Sequence, residues 1–323
     1  MPIEARFGGL DFDFFGGLWG VDFSVCEAGF GCWEVFAMVS GGEVLLRHRR
    51  RALGTVLWLL KRSGMLALIV SLPSLAACVD GPRWVVEEQR GEATLYAEFR
   101  VASGEIWQQL DEVSGELESA LGIVGSGERI EVVLFATQAS YLRYLTERLP
   151  QARSRRAIFY RNGDVSQIYA WNNRQLMTDL RHEMVHVRVH QHLPFAPLWL
   201  DEGLAECFEE RSGSRGDTVR RDLLRWKARL NQVGSLRGLE QLPSAEAMGA
   251  DDYRNSWAWV EFFLGESEGT RRLLREYVAE IHKGEAPGAF SAYAESGSPG
   301  VLVRGNSYFR KMPSALIFRS SSK

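Results

Sequence analysis

The motif His-Glu-x-x-His at residues 182–186 constrains the fold of this 323-residue chain more than any other segment. On a helix, His182 and His186 are one turn apart on one face, where both imidazoles can reach a single zinc ion. Glu183 lies about 100° further round, near enough to act on a water molecule at the metal. The apolar residues lie approximately opposite the histidines: Leu176, Met177, Leu180, Met184 and Val187. We therefore predict a helix with one buried face and histidines in a cleft; two surface histidines on an amphipathic helix are the alternative.

A zinc ion held by two histidines needs a third protein ligand and an open position for water. Glu202 begins a short apolar helix, and two prolines between residues 192 and 197 end the helix before it. Glu206 follows one turn later, and we predict that one of the two carboxylates binds zinc while the other accepts the outer N–H of a ligand histidine. Gly203 would let the two helices approach closely. A solvated acidic helix is the alternative for Glu202 and Glu206.

Together, His182-Glu183-x-x-His186 and Trp-Leu-Asp-Glu-Gly-Leu-Ala-Glu at 199–206 resemble the gluzincin metallopeptidases, the clan of thermolysin and aminopeptidase N. The bacterial peptidase MA-like domains are the most similar group. The resemblance is specific over about residues 181–209 and looser over about 84–289. It implies that His182, His186 and Glu202 bind Zn²⁺ and that Glu183 is the general base.

Three further expectations follow from this resemblance. Tyr253 would stabilise the oxyanion, unless it only packs in the core. The strand at residues 167–172, which follows the hairpin signal Asn162-Gly163, would edge the cleft and pair with an extended substrate. A hairpin with a purely structural role is equally compatible with that segment. No Gly-x-Met-Glu-Asn motif precedes the helix, which argues against aminopeptidase activity.

His192 is the competing third ligand, because metzincins supply a histidine ten residues after the first one. That geometry requires a sharp turn, for which metzincins use glycine three residues after the second histidine. This chain has Val189 there, and a β-branched residue strongly disfavours positive φ. On a straight helix His192 would lie about 15 Å along the axis from His182, and His190 about 12 Å. We therefore predict Glu202 as the ligand.

The element pattern predicts an α+β fold, a zincin-like catalytic domain with a small mixed sheet, the His-Glu-x-x-His helix and a mainly helical C-terminal part. We expect a leader that is disordered or a mis-assigned start, a lipoprotein-type signal, the catalytic domain, the helical part and a disordered tail. These segments cover residues 1–60, 61–78, 79–213, 214–290 and 291–323, respectively. An aromatic-rich, partner-binding tail is the alternative for the leader. The basic residues at 219–230 are predicted to be a solvated surface.

An export signal is predicted before the catalytic domain. Lys61-Arg62 precedes the uncharged apolar run 65–77, which is too short to span a bilayer, and Cys78 follows Leu-Ala-Ala. This order resembles a bacterial lipobox, so we expect lipid on Cys78, a membrane anchor and a cell-envelope location. A plain signal peptide or a buried helix is the alternative. The net charge of −3 indicates no nucleic-acid partner.

The predicted function is therefore that of a zinc peptidase acting on a peptide or protein substrate, with Glu183 activating water. A zinc-binding envelope lipoprotein of the same fold without significant turnover remains open. So does a purely structural helix that binds no metal.

Overall fold

The computed structural model describes residues 84–149, 155–211 and 215–313, together with three strands nearer the N-terminus. Those strands are β1 (Asp22–Ala28), β2 (Cys32–Val39) and β3 (Gly42–Leu46), an antiparallel sheet in the order β1-β2-β3. They fall within the predicted leader. The remainder of that leader, the predicted signal segment and Cys78 lie outside the described residues.

The main unit is α+β, as predicted. Its strands are β4 (Val86–Arg90), β5 (Ala93–Ala97), β6 (Arg129–Phe135), β7 (Ala157–Asn162) and β8 (Val165–Trp171). Its helices are α1 (Ser103–Leu121), α2 (Gln138–Arg148), α3 (Leu176–His192), α4 (Leu198–Phe208), α5 (Arg215–Arg229), α6 (Leu236–Leu239), α7 (Ala250–Gly265), α8 (Glu268–His282), α9 (Phe290–Gly297) and α10 (Val301–Lys311). Within the described part of the chain, no helix is both long and apolar enough to span a membrane.

The five-stranded sheet has the order β4-β5-β6-β8-β7. Its three inner strands, β5, β6 and β8, are parallel, and β4 and β7 are antiparallel edge strands. The central strand β6 buries Val132, Val133 and Leu134 in succession, as expected of a strand covered on both faces.

The hairpin predicted at Asn162-Gly163 is confirmed: β7 and β8 are joined by two residues, and Gly163 has φ 58°. The prediction that the strand at residues 167–172 pairs with the substrate is wrong, however. β8 pairs with β6 on one side and with β7 on the other, so its backbone has no free edge. The cleft-side edge strand is β7.

The helix α3 has the predicted two faces. Leu180, Met184 and Val187 are buried in the main core, and Met177 is partly buried against it. The helix packs on α1, α4, β7 and β8, which leaves the histidine face directed toward α4. The helix remains regular as far as His192.

Gly203 does allow a close helix–helix approach, but the partner is α7. A Cβ atom at Gly203 would lie 2.7 Å from the backbone oxygen of Ser256 and 2.7 Å from a methyl group of Val260. Real Cβ atoms do not come this close to other atoms, so only glycine lets α4 pack at this distance. The close packing fixes the helix that carries Glu202.

The prediction of a disordered tail from residue 291 is wrong for residues 291–313. Helices α9 and α10 occupy most of this stretch, and Phe290, Val301 and Phe309 are fully buried. The Gly-Ser-Pro-Gly segment at 297–300 suggested disorder, but it forms the turn between two short helices, with Gly300 at φ 79°. Residues 314–323 lie outside the described part.

Candidate metal centre

The structure brings His182, His186 and Glu202 together at the contact of α3 with α4. Glu202 Oε2 lies 3.8 Å from His182 Nε2 and 3.7 Å from His186 Nε2. The two imidazole rings are 5.0 Å apart between centroids and nearly perpendicular. Four ligand atoms around zinc, at bond lengths of about 2.0–2.2 Å, are separated from one another by about 3.3–3.6 Å. The observed spacing is therefore close to that of a tetrahedral site.

The burial and hydrogen bonding of Glu202 test independently whether these three residues suit a metal ion. The residue is only 4% exposed, and its Oε2 atom has no hydrogen-bond partner among the described residues. Burial raises the pKa of the Glu202 carboxyl group, because the anion is poorly solvated there. A buried polar atom without a partner costs free energy, and a cation between Oε2 and the two Nε2 atoms would supply the missing interaction. The donor set suits Zn²⁺.

Both histidines are held through their other ring nitrogen. The Nδ1 atom of His182 is 2.9 Å from Oε2 of Glu209, and Nδ1 of His186 is 2.9 Å from Oδ1 of Asp201. A carboxylate that accepts Nδ1–H leaves the Nε2 lone pair available to a metal. Both rings are thus oriented with Nε2 toward Glu202.

Glu206 does not take the role predicted for it. Its Oε2 atom is 3.2 Å from Nη1 of Arg220, and the contact with His182 is made by Glu209 instead. Glu209 lies seven residues after Glu202, about 20° from it around the helix axis, whereas Glu206 is about 40° away on the other side. Arg220, from α5, engages Glu206 on that side.

Asp201 forms a second charged link. Its Oδ2 atom lies 2.9 Å from Nε2 of His190, so one carboxylate joins His186 and His190. Burial opposes the charged form of His186, but the adjacent Asp201 outweighs it and raises the His186 pKa to about 10. Burial would also raise the pKa of Asp201, but the two histidines lower it. Neither Asp201 nor Glu209 was predicted to contact the ligand histidines; the position of Asp201 immediately before Glu202 was the available signal.

Glu183 lies between the histidine helix and the sheet. Its Oε2 atom accepts a hydrogen bond of 2.7 Å from the backbone N–H of Phe159 in β7. Its negative charge raises the pKa of both His182 and His186, although less than their carboxylate partners do. The carboxylate is therefore fixed next to the cluster without belonging to the ligand set.

Tyr253 lies in the first turn of α7 and is partly buried. Burial raises its pKa, and the charge of Glu202 raises it further. The phenol is thus within electrostatic reach of the cluster and remains protonated at neutral pH.

His192 lies away from the cluster. Its ring stacks on His282 at 4.0 Å between centroids, and its Nδ1 atom accepts a 3.4 Å hydrogen bond from the backbone of Val124. Because α3 does not turn before His192, the imidazole points to a different part of the molecule. Of the two candidates for the third ligand, the structure places Glu202 with the histidines.

Comparisons with known proteins find distant likenesses among solved structures. No family model and no curated protein matches the chain. Among solved structures, the fold is similar to an M1 zinc metallopeptidase from Deinococcus radiodurans, with 16% sequence identity and a TM-score of 0.34. The match covers 72% of this chain and 52% of that protein, so the chain spans about half its length. So distant a likeness leaves the geometry of the metal centre as the basis for any function.

Proposed function

We propose that this protein is a zinc-dependent peptidase that hydrolyses peptide bonds in a peptide or protein substrate. One observation carries the proposal. The buried Oε2 atom of Glu202 lacks a hydrogen-bond partner among the described residues and faces two histidine nitrogens at 3.7 and 3.8 Å. A cation is the group that satisfies all three atoms at once.

In this proposal His182, His186 and Glu202 hold Zn²⁺. When bound, Zn²⁺ supplies a Lewis acid for the scissile carbonyl group and lowers the pKa of water. Asp201 and Glu209 keep the two imidazoles in the orientation that the ion requires.

Glu183 is the proposed general base. It accepts a proton from the water molecule that attacks the carbonyl carbon and passes that proton to the nitrogen as the C–N bond breaks. The hydrogen bond from Phe159 restricts Glu183 to one side of α3 and so limits the directions its carboxylate can take. Tyr253 is the proposed donor to the oxygen of the tetrahedral intermediate, because its raised pKa keeps the O–H group intact.

The edge strand β7 is the proposed site for the substrate backbone. Its N–H group at Phe159 points away from β8 and donates to Glu183, so the free edge of β7 faces the proposed base. An extended peptide added to that edge would lie beside Glu183. This replaces the pairing with β8 that the sequence had indicated.

The experiment is a digest of a broad peptide library by the purified, zinc-loaded protein. We expect cleavage that stops when a chelator removes the metal and returns when Zn²⁺ is added back. Zinc binding without cleavage of any library member would instead support the second candidate, a zinc-binding module without significant turnover. Cleavage that persists after complete metal removal would contradict the proposed mechanism.

We further propose that the chain is exported and held in the cell envelope by lipid on Cys78. Lys61-Arg62, the apolar run 65–77 and the Leu-Ala-Ala-Cys segment support this proposal. Cells fed a tagged fatty acid should label the parent protein and leave Cys78→Ser unlabelled. Mass spectra of the mature protein that retain residues 1–77 would contradict it.

A further inference from the structure

Arg220 links the helical C-terminal part of the chain to the proposed zinc centre. It lies on α5, whose basic residues were predicted to be a solvated surface. Instead, the Arg220 side chain is only 18% exposed, and that of its neighbour Arg221 only 2%. Arg220 therefore has a specific environment that its sequence context did not indicate.

The guanidinium group of Arg220 contacts Glu206 and Glu209, two carboxylates that lie near His182. Nη1 donates to the backbone oxygen of Glu206 at 2.6 Å and to its Oε2 atom at 3.2 Å. Nη2 donates to Oε1 of Glu209. The planar group also lies over the ring of Trp257, with its central carbon 5.3 Å from the ring centroid.

The second oxygen of Glu209 completes a chain of contacts. Glu209 Oε2 accepts Nδ1–H of His182 at 2.9 Å, and Nε2 of the same imidazole faces Glu202. Glu209 thus uses one oxygen for Arg220 and the other for His182. Glu206 and Glu209 lie close enough to His182 that one ligand atom from each falls within 4.8 Å of the others. Two carboxylates this close repel each other unless a cation lies between them.

We propose that Arg220 is a positioning residue of the zinc centre, holding Glu209 so that His182 directs Nε2 at the metal. The inference rests on the zinc binding put forward above. Arginine suits this role because its rigid fork can bind two carboxylates at once and cannot lose its charge. Without it, Glu209 would be free to turn toward water and away from His182.

The contact of Arg220 with Glu209 crosses the predicted domain boundary at residue 213. The ligands come from α3 and α4, within the predicted catalytic segment 79–213, but the residue that fixes Glu209 comes from α5. The zinc centre therefore depends on the helical part that follows, and a chain cut at residue 213 would lack one of its supports.

The test is the zinc affinity of the full chain, measured by competition with a chromophoric chelator. Arg220→Met should weaken zinc binding about 10–100-fold, the usual cost of losing a partner of a metal ligand. Glu209→Gln should cause a similar loss. The control is Arg225→Met, an arginine on the same helix that pairs with Asp222 and with the backbone oxygen of Met312. It should keep the parent affinity within about twofold, which excludes a general effect of removing positive charge from α5.

A double-mutant cycle separates positioning from simple loss of structure. The combination of Arg220→Met with Glu209→Gln should bind zinc no more weakly than the weaker single variant, because both act through one contact. The combination of Arg220→Met with Asp201→Asn should show the product of the two separate losses, since Asp201 holds the other histidine. Arg220→Lys, which keeps the charge but not the fork, should fall between Arg220→Met and the parent.

Two results would overturn the inference alone: parent-like zinc affinity in Arg220→Met, or independent losses in Arg220→Met and Glu209→Gln. A parent protein that binds no zinc would overturn the proposed function, and this inference with it. The two failures are therefore distinguishable.

Discussion

Two buried carboxylates, Glu202 on α4 and Glu261 on α7, have opposite surroundings. Glu261 is 0% exposed, and both of its oxygens accept hydrogen bonds from Arg221, at 2.7 and 3.0 Å. Arg221 in turn donates to Asp217 at 2.8 Å. Glu202 is 4% exposed, and its Oε2 atom has no hydrogen-bond partner among the described residues. One cluster is closed by protein groups, and the other is left open.

Burial raises the pKa of both carboxyl groups, so burial alone does not distinguish them. The difference lies in what supplies the positive charge. Arg221 beside Glu261 completes a structural ion cluster, whereas Oε2 of Glu202 faces two imidazoles and accepts no hydrogen bond from any described arginine or lysine. A buried carboxylate with an unused oxygen that faces histidine nitrogens therefore indicates a metal site, whereas a fully hydrogen-bonded carboxylate indicates a structural ion pair.

The largest expected effect is a loss of peptidase activity that follows from a change beside the open cluster and not from a change in the closed one. Glu183→Gln should lower peptidase activity about 10²–10⁴-fold while zinc content stays at the parent level, because the amide cannot accept the proton of water. The matched change in the closed cluster, Glu261→Gln, should leave activity per folded molecule near the parent value. Steady-state kinetics on zinc-loaded protein check both, and a Glu183→Gln variant as active as the parent would contradict the assignment of the base.

In the metal-free protein, the closed cluster around Glu261 should contribute more to the free energy of unfolding than the open cluster around Glu202. Arg221→Met leaves the buried carboxylate of Glu261 without its cation, so the free energy of unfolding of the metal-free protein should fall by about 3–5 kcal/mol. Urea denaturation measures this change. A loss of less than about 1 kcal/mol would show that the cluster around Glu261 is no more closed than the one around Glu202.

Added zinc should stabilise the protein through the open cluster. At a free Zn²⁺ concentration of 100 times Kd, a ligand that binds only the folded state raises the free energy of unfolding by about 2.7 kcal/mol. Thermal or urea unfolding with and without zinc should show this gain in the parent and in Glu261→Gln. Glu202→Gln should show much less, and an equal gain there would place the binding site elsewhere.

The smallest effect is expected from Glu202→Gln without metal. Because Oε2 of Glu202 makes no hydrogen bond with the described residues, its replacement by an amide breaks no hydrogen bond of that atom and weakens only its 3.7 and 3.8 Å contacts with the two imidazoles. The free energy of unfolding should stay within about 1 kcal/mol of the parent or rise. A loss as large as that of Arg221→Met would mean that Glu202 is a structural residue like Glu261.

Much of this centre could be predicted because its parts are close in sequence. His182 and His186 are one helical turn apart on α3, and Glu202 lies in the second turn of the next helix, α4. The partners of these ligands could not be predicted in the same way. The pairing of Glu209 with His182, and not of Glu206, depends on Arg220, which reaches α4 only through the packing of α5.

The fold, like the metal centre, has features that local sequence predicts and features that depend on tertiary packing. The α+β pattern and the Gly163 hairpin follow from local signals, whereas the position of β7 at the sheet edge depends on the order of strands from distant parts of the chain. The C-terminal helices were missed because composition reports the turn at residues 297–300 but not the burial of Phe290 and Phe309. Tertiary burial, and not local preference, orders that stretch.

The most direct test of the central claim is the zinc affinity of Glu202→Ala compared with that of His192→Ala. The structure places Glu202 with the two histidine nitrogens and stacks His192 on His282 instead. We expect elemental analysis to find about one zinc ion per parent chain. We expect zinc binding to collapse in Glu202→Ala and to stay near the parent value in His192→Ala. No zinc in the parent after reconstitution, or the reverse order of the two variants, would contradict the account.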